Sequence, residues 1–203
     1  MIPSSRYAFA FVVNAALPAA VYWLTLARLG VPGALAASAA PLLAWMIFDL
    51  VRFRHFDALS ALVLASIGMS LVVLASASAR WLSEAREPLV SGVIGVIFLL
   101  SLPLERPLVF YLGRSTLSRE RSGREREFDE MWQNRPALVR SIRLMTAVWG
   151  LGLVGENAVR IWLVCCTGAQ NGDRLSMIVR YATYFGLTAW SIVYRNRYVK
   201  RQA

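Results

Sequence analysis

Glu156, Asn157 and Arg160 stand together in the stretch Gly155-Glu156-Asn157-Ala158-Val159-Arg160, inside an otherwise apolar run. At about 100° per helical residue, Arg160 lies about 40° round from Glu156 and Asn157 about 100°, so the three share one helix face. Acid before base at i, i+4 is the favourable order for a pair. Arg180, followed by Tyr181 and Tyr184, enters the next apolar run at a similar depth from the opposite direction. A charge at membrane depth costs about 2.5–3.5 kcal/mol, so such residues face a bundle interior and mark function. Two kinds of chemistry are open to Glu156, Asn157, Arg160 and Arg180. One is a site for an ion, a proton or a polar substrate, where one acid facing two arginines favours an anion. The other is an interhelical salt bridge, with Arg180 snorkelling to the outer interface.

Other reactive residue types do not assemble into a catalytic set. Asp49, Arg52, Arg54, His55 and Asp57 read as a charged turn at the cytoplasmic surface, and Glu105 with Arg106 as a second one. Asp49 and Asp57 lack the glycine and further aspartates that a metal-bound phosphate would need. His55 has no serine or cysteine partner at a suggestive spacing. Cys165 and Cys166 are neighbours, a poor geometry for a bridge, and read as small apolar fillers. The residues therefore predict a protein without a catalytic constellation, metal site or cofactor.

Composition shows what must position the polar cluster. The 203 residues are 57% hydrophobic and 17% charged, against about 45–50% and 25% in soluble domains. Their mean hydropathy is +0.50. A membrane helix needs about 20 mostly apolar residues. Six runs qualify, at about 7–27, 31–51, 58–79, 88–104, 144–166 and 175–194. The first is longer than the 7–15 apolar residues of a cleaved signal and is expected to be retained. Arg28-Leu29-Gly30 reads as the tight turn between the first two. The predicted fold is all-α: a single polytopic bundle of six transmembrane helices in three hairpins.

Charge then orients the bundle. The net charge is +10, with 22 basic residues. Sixteen lie in the N-terminus, 52–57, 105–143 and the C-terminal tail; four lie in the alternate loops, and Arg160 and Arg180 lie within spans. This asymmetry predicts both termini and the long loop in the cytoplasm. Arginines flanking spans also meet anionic lipid headgroups, so nucleic acid is not needed to explain them.

The charged loop 105–143 places Phe128, Met131 and Trp132 on one face, either as an interfacial helix or as a patch packed on the bundle. Asn134 before Pro136 offers a start that would let the fifth helix run as one rod into the membrane. Ala36, Ala40 and Ala44 form a small-residue ridge, repeated by Ser66/Ser70 and Ser91/Gly95, and such ridges permit homo-oligomers. Trp23, Trp45, Trp81 and Trp190 fall near span ends, as interfacial tryptophans do.

Three stretches resemble the bacterial intracellular septation protein A family. They are Val51-Arg52-Phe53-Arg54-His55-Phe56; Arg106-Pro107-Leu108 with Phe110-Tyr111-Leu112-Gly113-Arg114; and Phe128 with Trp132, then Ala147-Val148-Trp149-Gly150 leading to Glu156, Asn157 and Arg160. The match covers roughly residues 45–165. Six readable spans, where that family usually has five, and a longer charged loop are departures. The resemblance implies an inner-membrane protein of cell-envelope synthesis and septation, and it carries over no catalytic residue. The expected function is non-enzymatic, exerted through lipids or other membrane proteins; the alternative is a small transporter or channel for ions or small anions.

Overall fold

A computed structural model describes residues 12, 16–53, 58–76, 86–120, 124–167 and 169–199. Seven α-helices follow one another among them: α1 (Leu17–Phe53), α2 (Ala58–Ser76), α3 (Arg86–Leu100), α4 (Leu108–Glu120), α5 (Arg124–Asn134), α6 (Pro136–Thr167) and α7 (Ala169–Tyr194). A π-helical turn, Arg195–Val199, follows α7. The chain divides into two compact units, Met1–Ser83 with Tyr111–Asp129, and Glu84–Phe110 with Glu130–Ala203. Helices α4 and α5 therefore each contribute to both.

In the first unit α1 pairs with α2. The expected first two spans form one element, interrupted at Gly30, whose φ of 64° is the left-handed value glycine adopts most readily. The predicted break thus falls at Gly30, with Pro32 two residues on. Residues 7–11 and 13–15 of the first span lie outside the described residues. Burial along α1 follows Ala34, Ser38 and Leu42, one turn apart. Ala36, Ala40 and Ala44 are exposed, so the expected small-residue ridge faces outward. The inward row is two residues along, about 200° round and so on the opposite face, and Ser38 is accommodated there because its hydroxyl donates to the Leu35 carbonyl at 2.7 Å. Elsewhere in this unit, Arg114 Nε donates to both carboxylate oxygens of Asp129 at 3.2 Å.

The second unit is built around α6, which packs on α3 and on α7. Its contacts run antiparallel on both sides. Ser91 meets Glu156 and Phe98 stacks on Trp149, at 6.4 Å between ring centroids. On the other side Arg160 meets Ser176 and Trp149 Nε1 donates to Ser191 Oγ at 2.9 Å. Tyr194 Oη donates to Ser141 Oγ at 3.3 Å, closing the far end of the α6–α7 pair. Helices α3 and α6 approach through glycine: a Cβ on Gly95 would lie 2.9 Å from the Gly150 carbonyl oxygen, and one on Gly150 3.1 Å from the Gly95 carbonyl oxygen.

Helix ends differ from expectation for identifiable reasons. Helix α3 stops at Leu100 instead of Leu104, because Pro103 disfavours helical geometry at the residue before it. Ser101 organises the turn: its hydroxyl donates to the Phe98 carbonyl at 2.7 Å and accepts the Leu108 amide at 3.0 Å, joining α3 to α4. Helix α6 starts at Pro136, eight residues before Leu144, as a single rod. Its cap is Arg135, not Asn134; the Arg135 carbonyl accepts the Leu138 amide at 3.0 Å. The charged loop is largely helical. The aromatic face of α5 is committed to protein: Phe128 is buried, and Trp132 meets Phe110 edge-on at 4.7 Å.

Among the described residues, three stretches are long and apolar enough to cross a membrane: Leu17–Phe48, Ala58–Ala75 and Pro136–Leu163. Pro88–Leu100 is apolar but shorter, and α7 is not among the three. The described helices thus bear out an all-α chain with three apolar helices of membrane length, half the number of spans expected.

The α3–α6 crossing gives a direct test. Gly95→Ala forces a methyl group against backbone and is expected to cost about 1–3 kcal/mol. Gly68→Ala on α2 meets open space and is expected to stay within about 0.5 kcal/mol of the parent. Thermal unfolding of the detergent-solubilised protein, followed by tryptophan fluorescence, distinguishes the two.

Candidate functional site: a buried carboxylate–guanidinium cluster

Helix α6 presents Glu156 and Arg160 one turn apart, and both are enclosed, with side chains 0% and 5% exposed. Their pairing is direct: Arg160 Nη1 donates to Glu156 Oε1 at 2.7 Å. The second carboxylate oxygen, Oε2, accepts a short hydrogen bond from Ser91 Oγ of α3. Arg160 Nε donates to Ser176 Oγ of α7 at 2.7 Å. Three helices of the second unit thus meet in one hydrogen-bonded chain, Ser91–Glu156–Arg160–Ser176.

The arrangement has a clear electrostatic reason. A buried charge needs an opposite charge and hydrogen bonds for its remaining valences. The carboxylate obtains a donor on each oxygen, and the guanidinium obtains acceptors on Nη1 and Nε. Net charge within the chain is zero, which an apolar interior tolerates. A second guanidinium would leave it positive. Arg180 accordingly holds a different place, half-buried on α7, with its guanidinium 5.0 Å over the Tyr181 ring and Nη2 3.4 Å from Tyr181 Oη. The expected four-residue cluster is therefore a Glu–Arg pair completed by two serines.

Asn157 sits beside the pair against α3. A Cβ on Gly92 would run into the Asn157 carboxamide, so adjacent α3 residues, Ser91 and Gly92, serve adjacent α6 residues. Asn157 Oδ1 is buried with no hydrogen-bond partner among the described residues.

Ser91 was legible only as half of a small-residue pair with Gly95, and Ser176 carried no signal beyond its place one turn before Arg180. A hydroxyl in an apolar helix, next to glycine and opposite a buried acid, is the pattern that finds Ser91. Of the expected surface turns, Asp49 and Arg52 fall on the last turns of α1, while Arg54, His55 and Asp57 lie outside the described residues. Glu105 is exposed in the turn before α4, and Arg106 lies with its guanidinium 5.0 Å over the Phe110 ring.

No protein-family model matches the chain, and no curated protein or solved structure matches it significantly.

The cluster predicts a graded response to substitution. Ser91→Ala leaves a buried carboxylate oxygen without its donor and is expected to cost about 1–3 kcal/mol. Arg160→Met strands the acid and is expected to cost about 3–5 kcal/mol. The double change Glu156→Leu with Arg160→Met removes both charges and is expected to recover most of that loss. Thermal midpoints of the three variants, each measured against the parent, check the order.

Proposed function

We propose that this chain is an integral protein of the bacterial inner membrane that crosses six times with both termini in the cytoplasm. It works without chemistry of its own, through contacts with other membrane proteins and lipids in cell-envelope synthesis and septation. The observation that carries the non-enzymatic reading is the closed cluster: Glu156 and Arg160 are buried, and each is bonded to the other and to a serine. A carboxylate with a donor on both oxygens is poorly placed to exchange protons or hold a passing ion.

The membrane reading draws support from an apolar exterior around a core that includes polar groups. Large apolar residues such as Leu24, Val51, Leu100, Leu151 and Phe185 are exposed, while Ser60, Ser91, Ser141, Thr146 and Ser176 are buried. Helix α7 has too little overall hydropathy to register as a span, yet it exposes Met177, Ile178, Phe185, Ile192 and Val193. It is about 39 Å long at 1.5 Å per residue, enough to cross. Helix α3 spans only about 22 Å. Its crossing would be completed by the turn after Leu100, whose backbone is partly satisfied by Ser101, as membrane depth requires. The distribution of arginine supports the orientation, and the septation role rests on the resemblance of the three motif stretches. The outward ridge of Ala36, Ala40 and Ala44 is a surface on which another helix, including one from a second copy, can approach closely.

One observation favours a second reading, a small transporter or channel for ions or small anions. Among the described residues, Asn157 Oδ1 is an unused acceptor beside the charged pair.

Flux of ions and small anions into proteoliposomes separates the two. The expected result is the same leak-level trace for the parent, Glu156→Gln and Asn157→Ala; uptake that Glu156→Gln abolishes would replace the interaction role with transport. Reporter fusions after Ser122 and at the C-terminus are expected to report cytoplasm, and one after Asn171 the opposite side. Depletion in the source bacterium is expected to lengthen cells by delaying septa.

A further inference from the structure

At the loop end of the second unit, arginines gather where α3 turns into α4 beside α6. Arg143 Nη2 donates to the Leu104 carbonyl at 3.4 Å, which ties α6 to the turn after α3. Arg140 is exposed three residues earlier, on the same side of α6. Arg106 closes the turn, its guanidinium over Phe110. Glu105 is the acid within this turn, so the balance across Glu105, Arg106, Arg140 and Arg143 is positive.

Depth places this group at a defined level. Arg143 is 13 residues before Glu156 on one continuous helix, about 20 Å along its axis. Glu156 is central in the expected span 144–166, so in a hydrocarbon layer whose half-thickness is about 15 Å the arginines fall among the headgroups. Immediately toward the membrane, Leu100, Leu104 and Leu144 are exposed, at 68%, 56% and 44%. Basic forks above an apolar step reproduce the two chemistries of one phospholipid in their order. Guanidinium suits the phosphate better than ammonium because its planar fork binds two oxygens at once.

We propose that the turn at 101–106 and the opening turns of α6 seat an anionic phospholipid, with its phosphate on Arg106, Arg140 and Arg143 and its acyl chains along Leu100, Leu104 and Leu144. This rests on the membrane reading above and adds a specific site to it. Arg143 uses one donor on Leu104 and keeps others for the phosphate.

The test is titration of the detergent-solubilised full chain with phosphatidylglycerol or phosphatidylcholine, with bound lipid read by native mass spectrometry. The parent is expected to prefer phosphatidylglycerol. Arg140→Gln is expected to reduce that preference about fivefold, the size of one arginine's attraction to anionic lipid. The triple change of Arg106, Arg140 and Arg143 to Gln is expected to reduce it at least tenfold, and Arg124→Gln with Arg126→Gln on α5 to leave it unchanged. Excess inorganic phosphate is expected not to displace the lipid, because it cannot use the leucines. An unaltered preference in Arg140→Gln and the triple variant overturns the proposal, and so does full displacement by inorganic phosphate. If the triple variant loses its helical circular dichroism, Arg140→Gln alone decides. Carbonate extraction of membranes tests the membrane reading separately: release of the chain by carbonate would overturn that reading, whatever the lipid titration shows.

Discussion

A carboxylate and a guanidinium held away from water must satisfy one another, and most of the second unit follows from that requirement. Glu156 has two oxygens, and Arg160 covers one. The other needs a donor from outside the helix, which brings Ser91 and therefore the α3 backbone close. Closeness in turn demands the absence of side chains at Gly92, Gly95 and Gly150. On the opposite flank, Arg160 Nε needs an acceptor, and Ser176 sets the register of α7. Trp149 with Ser191 and Tyr194 with Ser141 then extend that register along the pair. The unsatisfied alternative costs several kcal/mol, more than any single apolar contact here contributes.

Polar groups share the interior with apolar side chains, while the exterior is strongly apolar. Serines, a threonine and the ion pair occupy much of the inside, while large aliphatic and aromatic residues face out. Without a hydrophobic driving force between helices, close packing and interhelical hydrogen bonds hold such a unit together. Each inward serine is small enough for close approach and brings a hydroxyl that can bond across or back to its own helix, as Ser91, Ser176 and Ser38 do.

Helices and their approximate centres were legible from apolar run length alone, because length against bilayer thickness is a strong constraint. Which face turned inward was not. Ala36, Ala40 and Ala44 satisfy the same spacing rule as Ala34, Ser38 and Leu42, and periodicity cannot choose between rows on a helix that is apolar all round. Glu156 with Arg160 was legible because i, i+4 geometry is local. Ser91 lies 65 residues away, and its selection depends on a crossing point that no local pattern encodes. The hydropathy of α7 understates its apolar exterior because its polar residues average in with the outward ones. The loop's helices were half visible: the aromatic spacing marked α5, but only packing against Phe110 shows what Trp132 touches.

The separation of Ser91 from Glu156 along the chain has a consequence in time. At a synthesis rate of about 5–20 residues per second, roughly 3–13 s pass between the appearance of the serine and that of the acid it must meet. During that interval α3, about three-quarters as long as a hydrocarbon core is thick and marked by glycine and a hydroxyl, has no α6 to lean on. Until α6 is made, neither Glu156 nor Trp149 exists for α3 to meet, so the partners of Ser91 and Phe98 arrive together with a single later helix.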